Sequence, residues 1–401
     1  MEVGHDGGAH MTAMMVMGLQ WGDEGKGRVV DHIAQRAETV VRFNGGPNAG
    51  HTIPLPGGGK IAVHQLPSGV TNQSARLCMG RGMVVDIEKL AGEIMATGVR
   101  PSRILLDSRA QVIAPCHRDE DGAAEASRGP MAIGTTKTGN GPAYADKYAR
   151  VGITVGDLMT SEGAFAVSRL ASSRPGRGLS DLRLWSASVA DILHRLVFSG
   201  LEVGDVSEFL IESHLGGGDI LFECAHGFEL DIDHGAYPYV TSSSCGIGGV
   251  YSGAGFPPLE IEHVIGVMKP YSTRIGAGPF VPGLSSEQTT HIREAGGEYG
   301  VTTGRARKIG ILDLQRLERA CIINSVDRIA LTHLDMAMYL GDVPYVDLSG
   351  SVTATAWHDL HSVIEESTGA AIQYISDGPQ HQCMQQLFGE EGTDADVWRL
   401  R

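Results

Sequence analysis

The chain has 401 residues, 42% of them hydrophobic, which is enough to bury a substantial core. Its formal net charge of −15 argues against broad binding to nucleic acid or to an anionic membrane surface. Six cysteines, Cys78, Cys116, Cys224, Cys245, Cys321 and Cys383, are scattered without a C-x-x-C pair, which fits free thiols in a reducing compartment and not a zinc site or a disulfide frame. No apolar run reaches membrane-spanning length, and residues 1–12 lack the hydrophobic centre of a signal peptide, so we expect a cytoplasmic protein with a flexible N-terminal tail.

The run from Ala13 to Met17 is short, apolar and closed by Gly18, as a buried strand would be. Val29, Val30, Ile33, Ala34 and Ala37 then recur at helical spacing. "GLQWGDEGKGRVVDHIAQ", Gly18 to Gln35, therefore predicts a strand, a glycine-rich turn and a helix. Such a turn offers backbone N–H groups and a positive dipole end to an anion, and Lys26 adds a full charge. It is a variant phosphate loop, because Gln20 occupies the first glycine and Gly27 the hydroxyl position of G-x-x-x-x-G-K-[ST]. Taken alone, the stretch is equally well an ordinary strand-to-helix turn. Strand-like runs follow at 39–43, 103–106, 220–222, 261–268, 329–332 and 372–375, several of them ending in glycine-rich or polar turns. From about 158 to 215 the pattern is helical, with "SVADILHRLVFSGL" the clearest amphipathic piece and "SRPGRGLS" a flexible joint. The predicted fold is α/β: one domain over 13–401, with a mostly parallel central sheet, a phosphate-binding loop variant and a helical insert at about 158–215.

Five more loops carry unusual chemistry. "FNGGPNAGHT" sets Asn48 and His51 among glycines that permit close approach of a ligand, although a lone histidine is more often structural. "AIGTTKTGNGPAYADKYAR" has a dense hydroxyl and amide surface suited to a phosphate. "FECAHGFELDIDHGAYPYVTSSS" carries His226, Asp231, Asp233, His234 and Thr241; Asp231, Asp233 and His234 lie so close together that a pinned turn is favoured over a metal site. In "YGVTTGRARKIGILD", Arg305 and Arg307 follow a hydroxyl-rich turn, either as a solvated basic face or as a clamp for carboxylates or phosphates. "LTHLD" ends an apolar run with Asp335, a carboxylate able to accept from guanine N1–H and the 2-amino group. Together these loops point to a nucleotide-using phosphoryl-transfer enzyme.

The loops "QWGDEGKG", "NAGHT", "AIGTT" with "GPAY", "DIDHG" with "YPYVTSS", "YSTR" and "TTGR" resemble, in this order, those of adenylosuccinate synthetases, from about Val16 to Pro379. The resemblance implies a mixed, mainly parallel sheet, a homodimer, and condensation of IMP with L-aspartate using GTP and Mg²⁺. It implies three catalytic residues. Asp23 takes the purine N1 proton and helps hold Mg²⁺ with the Gly50 carbonyl oxygen; His51 acts as acid; Lys26 steadies the developing phosphate charge. Implied GTP contacts are Gly22, Asp23, Glu24, Gly25, Lys26, Gly27, Arg28, Gly50, His51, Thr52, Arg307, His333, Leu334, Asp335, Ser376, Asp377 and Gly378. The acceptor nucleotide would meet Asp23, Glu24, Gly25, Lys26, Asn48, Ala49, Gly50, His51, Thr136, His226, Thr241 and Arg305, with Arg150 reaching across the dimer interface. Aspartate would lie on Val301, Thr302, Thr303, Gly304, Arg305, Ala306 and Arg307.

Departures from the family pattern are His226 for a glutamine that contacts O6, Thr138 for an arginine, His333 for the lysine before "LD", Asp377 for a threonine and Pro47 for a polar residue. They leave the phosphoryl machinery in place and bear on purine choice. A histidine at 226 is expected to alter pH dependence and acceptor ranking, because it can itself take a proton. Two other readings follow: a specialised paralogue acting on a 2-amino acceptor such as dGMP or on a purine analogue, and a guanine-nucleotide-binding regulator without activity. Retention of Asp23, Lys26, His51 and Arg305 speaks against the regulator, since binding alone needs no base–acid pair.

Overall fold

The computed structural model describes residues 13–55, 57–174, 179–300 and 304–387. The expected tail, part of the expected joint and Val301, Thr302 and Thr303 lie outside them. Ten strands make the main sheet: β1 (Ala13–Gly18), β2 (Thr39–Arg42), β3 (Arg76–Met79), β4 (Ile104–Asp107), β5 (Glu202–Gly204), β6 (Ile220–Gly227), β7 (His263–Met268), β8 (Arg328–Leu331), β9 (Ala371–Ser376) and β10 (Met384–Gln386). Their spatial order is β10-β9-β8-β7-β1-β6-β2-β3-β4-β5. All pairings are parallel except that of β9 with β10, so the sheet is mixed and mostly parallel as expected.

Strands of such a sheet are covered on both faces, which is why β1 reads as an unbroken apolar run. Met14 and Val16 join one core with Val29, Val30 and Ile33, while Ala13, Met15 and Met17 join the other with Phe222 and Ile329. Helix α1 (Lys26–Ala34) begins at Gly25, whose left-handed backbone turns the chain back over the sheet. The stretch 158–215 holds the helices Gly163–Ser172, Leu179–Phe198 and Val206–Leu215, and also β5, which pairs with β4 at the sheet edge. Two packed helices, α2 (Pro115–Ser127) and α3 (Asn140–Ala149), bracket the loop at 128–139.

Strand β1 lies between β6 and β7, yet the chain leaves it for β2 on the far side of β6. Connections diverge to the two sides there, opening a crevice beyond the carboxyl ends of β1, β6 and β7.

Candidate active site

The turn after β1 requires unusual backbone: Gly22, Asp23 and Gly25 have φ of 87°, 61° and 91°. Glu24 accounts for it. Its fully buried carboxylate accepts the N–H groups of Gln20 (3.1 Å) and Gly22 (2.8 Å) and pairs with Lys26 Nζ. A Cβ on residue 18 would stand 2.4 Å from Glu24 Oε2, so only glycine admits that carboxylate. With Glu24 turned inward, Asp23 and Lys26 face a cavity of about 1310 Å³. Single-ligand pockets are about 300–1,000 Å³, so this one has room for more than one ligand.

His51 opens the strand His51–Pro54 on the cavity wall. Its Nδ1 contacts Glu223 Oε1 and lies 3.0 Å from Ser68 Oγ; Glu223 also accepts the Ser68 N–H (2.6 Å) and hydroxyl. Burial pushes the imidazole below its usual range despite the pull of Glu223. Burial works to raise Glu223, but His51 and Arg42 hold it down at about 2. The pair is therefore a neutral imidazole donating Nδ1–H to a carboxylate, which leaves Nε2 for a ligand. Arg42 sits beside Glu223 in the parallel register of β2 and β6. It is fully buried, and none of its guanidinium nitrogens makes a hydrogen bond, so it acts on the pair through charge.

Opposite, four hydrogen bonds join three residues that the sequence assigned to the acceptor. Thr136 Oγ1 meets Thr138 Oγ1 at 2.9 Å, Thr138 donates to Asn140 (2.8 Å), Asn140 to Asn48 (2.7 Å), and Asn48 to Thr241 (3.5 Å). Thr138, in place of the family's arginine, is a link in this chain. The loop before it is held by Glu125, which accepts the N–H groups of Ile133 (3.2 Å), Gly134 (2.6 Å) and Thr135 (3.2 Å). Arg305 donates to the carbonyl oxygens of Gly134 (3.0 Å) and Thr135 (3.4 Å).

His226 lines the same wall with φ 67°, and its Nδ1 is buried without a hydrogen-bond partner. Burial, then the charges of Arg42 and Lys26, push the imidazole down to about 3. This corrects the expectation of an added titration near neutral pH: the ring is neutral there, and its influence lies in shape and hydrogen bonding.

Arg307 Nε stands 2.8 Å from Asp23 Oδ2, while its Nη1 donates to Glu298. Glu298 is fully buried and also receives Lys269 Nζ (2.8 Å) and the Tyr271 hydroxyl (2.6 Å). Burial would raise this carboxyl, but Lys269, His333 and Arg307 hold it at about 2. Beyond β8, His333 has φ 55° and is pushed to about 4 by burial and by Lys269. Asp335 follows on the helix Leu334–Leu340. Its Oδ1 is buried with no hydrogen-bond partner, and burial raises its carboxyl. Arg28 donates to the carbonyl oxygens of Gly378 and Gln380, tying α1 to the loop after β9.

The wall thus gathers Gly22, Asp23, residues 25–28 and 48–52, Thr136, His226, Thr241, Arg305, Arg307, His333, Asp335 and Gly378. Other expected contacts lie elsewhere. Glu24 is turned inward, Leu334 is in the apolar core, and Ser376 is buried with its hydroxyl 3.2 Å from the Gly378 carbonyl oxygen. Asp377, Gly304 and Ala306 are off the wall, and Arg150 is exposed at the C-terminal end of α3 with φ 62°. Glu223, Ser68, Arg42, Glu125 and Glu298 were missed; the available signal was a charged residue inside an apolar strand, as in "TVVRF" and "ILFEC".

Among the described residues no group of three or more His, Cys, Asp or Glu is placed to hold a metal ion. Asp231 instead accepts the N–H groups of Asp233 (2.8 Å) and His234 (2.9 Å), pinning the turn. One carboxylate, Asp23, with the Gly50 backbone on the same wall fits Mg²⁺, which draws its other oxygens from phosphates and water. No helix among the described residues is long and apolar enough to cross a membrane.

Open parallel sheets hold nucleotides at such a glycine-rich turn beside a strand-order reversal, and the fold and cavity assign the chain to that class of α/β proteins. Within it, the chain belongs to the adenylosuccinate synthetase family, whose sequence profile matches residues 15–346. These are ligases of purine biosynthesis that use GTP and, in general, Mg²⁺. Fully ligated adenylosuccinate synthetase of Plasmodium falciparum superposes with a TM-score of 0.85 at 30% identity, over 93% of this chain and 99% of that one. The succinoaminodeoxyadenylate synthetase of cyanophage S-2L, bound to dGMP and to dATP as an energy donor, gives 0.69 at 25% identity, over 93% and 94%.

Proposed function

We propose that the chain is a GTP-dependent ligase joining L-aspartate to C6 of a 6-oxopurine nucleotide, with IMP the default acceptor, through a 6-phosphoryl intermediate. The observation that carries this reading is the meeting of Asp23, Lys26 and carboxylate-backed His51 with Arg305 and Arg307 around one cavity. A lactam oxygen is a poor leaving group, and phosphorylation at O6 converts it into phosphate. Asp23 takes the N1 proton, and the resulting O6 oxyanion forms a bond to the γ-phosphorus of GTP as the bond to GDP breaks. Lys26 and the turn N–H groups surround the transferring phosphoryl group, and His51 meets its growing charge once protonated at Nε2, an imidazolium that Glu223 supports from behind. The aspartate amine then forms the C6–N bond and phosphate departs. Asp23 and the Gly50 carbonyl oxygen would hold Mg²⁺, which neutralises phosphate charge when bound.

Asp335 supports GTP as donor: a carboxylate oxygen without a hydrogen-bond partner suits the paired N–H groups of guanine. Exposed Arg150 supports a homodimer in which it serves the other subunit's acceptor phosphate. A cytoplasmic location accords with this chemistry. The second reading is a 2-amino acceptor such as dGMP. It is favoured by His226 in place of an amide and by the likeness to the cyanophage enzyme, which binds dGMP. The test is a panel of IMP, dIMP, GMP and dGMP with aspartate and either GTP or ATP. Preferred turnover of IMP with GTP supports the first reading and preference for dGMP the second; no aspartate-dependent turnover with any acceptor rejects both.

A further inference from the structure

Glu298 and Arg307 are joined through their backbones. The Arg307 N–H donates to the Glu298 carbonyl oxygen (2.9 Å), and above them Gly300 N–H donates to the Arg305 carbonyl oxygen (2.8 Å). Their side chains pair as well, through Arg307 Nη1. Glu298 is itself immobilised from behind. Lys269 and Tyr271 grip Oε1, and Gln20 of the phosphate turn fixes the backbone that carries both of them, through contacts to Lys269 N–H (3.0 Å) and to the carbonyl oxygens of Lys269 (3.2 Å) and Tyr271 (3.1 Å).

The two edges of the Arg307 guanidinium therefore differ. Nη1 is committed to a buried carboxylate. Nε lies 2.8 Å from Asp23, yet its N–H has no hydrogen-bond partner, so that contact is charge attraction without a directed bond. Arg307 is 93% buried and lines the cavity. With Nη1 on Glu298 and Nε beside Asp23, Nη2 is the nitrogen left to meet a further carboxylate. Without the anchor, Asp23 is its remaining ion-pair partner, and a bidentate pair would take up Nη2 and cover the base.

We propose that Glu298, with Lys269 and Tyr271 behind it, is a positioning residue for the carboxylate-bearing co-substrate: it holds Arg307 by Nη1, limits its contact with Asp23 to the single one at Nε, and leaves Nη2 for a short dicarboxylate. Glu298 does not line the cavity and acts only through Arg307. This inference rests on the ligase reading above, with L-aspartate as the dicarboxylate.

The test is steady-state kinetics of the full chain with Glu298→Gln and Tyr271→Phe, alongside inhibition by succinate, a dicarboxylate that lacks the nucleophile. Loss of a directed charged bond to one substrate should raise KM for aspartate and Ki for succinate about tenfold or more in Glu298→Gln and about threefold in Tyr271→Phe. The rise in KM should be largest for aspartate and smaller for GTP and the acceptor, and kcat should fall because a freed Arg307 covers Asp23. Should Glu298→Gln fail to fold, Tyr271→Phe, which deletes one hydroxyl, decides alone. Unchanged aspartate and succinate constants in a folded variant overturn the proposal, as does a parallel loss in all three substrates. Wild-type protein without aspartate-dependent turnover rejects the ligase reading first and this inference with it.

Discussion

Replacing Glu223 by glutamine keeps the shape of the side chain and removes its charge. In the native site the carboxylate accepts from His51 Nδ1, the Ser68 N–H and the Ser68 hydroxyl. An amide can face all three only by directing its oxygen at the Ser68 N–H and its NH₂ at His51, which forces the imidazole proton onto Nε2. The contacts with Ser68 and His51 are thus kept, but buried Arg42 loses the carboxylate beside it, so the melting temperature should fall. Catalysis should not be spared, because a phosphoryl group gaining charge is met best by an imidazolium. That imidazolium would now stand beside Arg42 with no counter-anion. Breaking a buried ion pair on one side costs about 3–5 kcal/mol, which corresponds to a fall in kcat of about 10²–10⁴. The assay is aspartate-dependent phosphate release at saturating substrates, with melting temperature as the control for folding. A folded Glu223→Gln enzyme with kcat within about threefold of wild type would refute the assigned pairing.

Because His226 is neutral through the physiological range, His226→Gln should shift the ranking of IMP, GMP and their deoxy forms while leaving the pH–rate profile between pH 6 and 9 unaltered; a displaced profile would contradict the depressed titration. Asp335→Asn removes an acceptor of two guanine N–H groups and should lower kcat/KM for GTP about 10- to 100-fold with little effect on ATP, and equal losses for both would exclude a base-reading role. Acid should destabilise the fold. His226 and His333, held at about 3 and 4, stay neutral in the folded chain while the unfolded chain protonates below about pH 6.5. The unfolded state then binds more protons, so stability falls with pH from about 6.5 toward 4 by about 1.4 kcal/mol per unit per histidine, and His333→Gln should flatten the decline in urea-unfolding midpoints. Mixing Asp23→Ala with Arg150→Ala subunits should restore activity through heterodimers with one intact site, whereas demonstrated heterodimers without activity would place Arg150 outside the neighbouring site.

The turn after β1 was legible because its signal is local: glycines flank Asp23 and Lys26, and the apolar period changes from strand to helix within a few residues. Strands β2, β4, β6, β7, β8 and β9 were visible as apolar runs for the same reason. Strand β3, "RLCM", lies among polar residues and glycines and lacks a clear apolar run, and the edge strands β5 and β10 are short and carry polar residues. Glu223 and Glu298 escaped notice for a different reason. Glu223 meets Ser68 and His51 across 155 and 172 residues, and Glu298 meets Lys269 across 29, so no window of sequence contains their partners. His226 was legible as a departure but not in its protonation, which depends first on burial and then on Arg42 from another strand.

The placement of β1 has a consequence for how the chain is made. Its two flanking strands begin only at Ile220 and His263, so β1 leaves the ribosome well before either of them. Until they arrive, "AMMVMG" is an apolar ribbon with both edges unsatisfied, and the glycine turn behind it has no floor. Contacts this distant in sequence slow folding and prolong the exposure of sticky intermediates. The nucleotide cradle is thus completed only once β7 has been made. A nascent chain halted short of β7 would have no place to hold its substrate, and nucleotide bound after β7 has joined would act as a late stabiliser of the central strands.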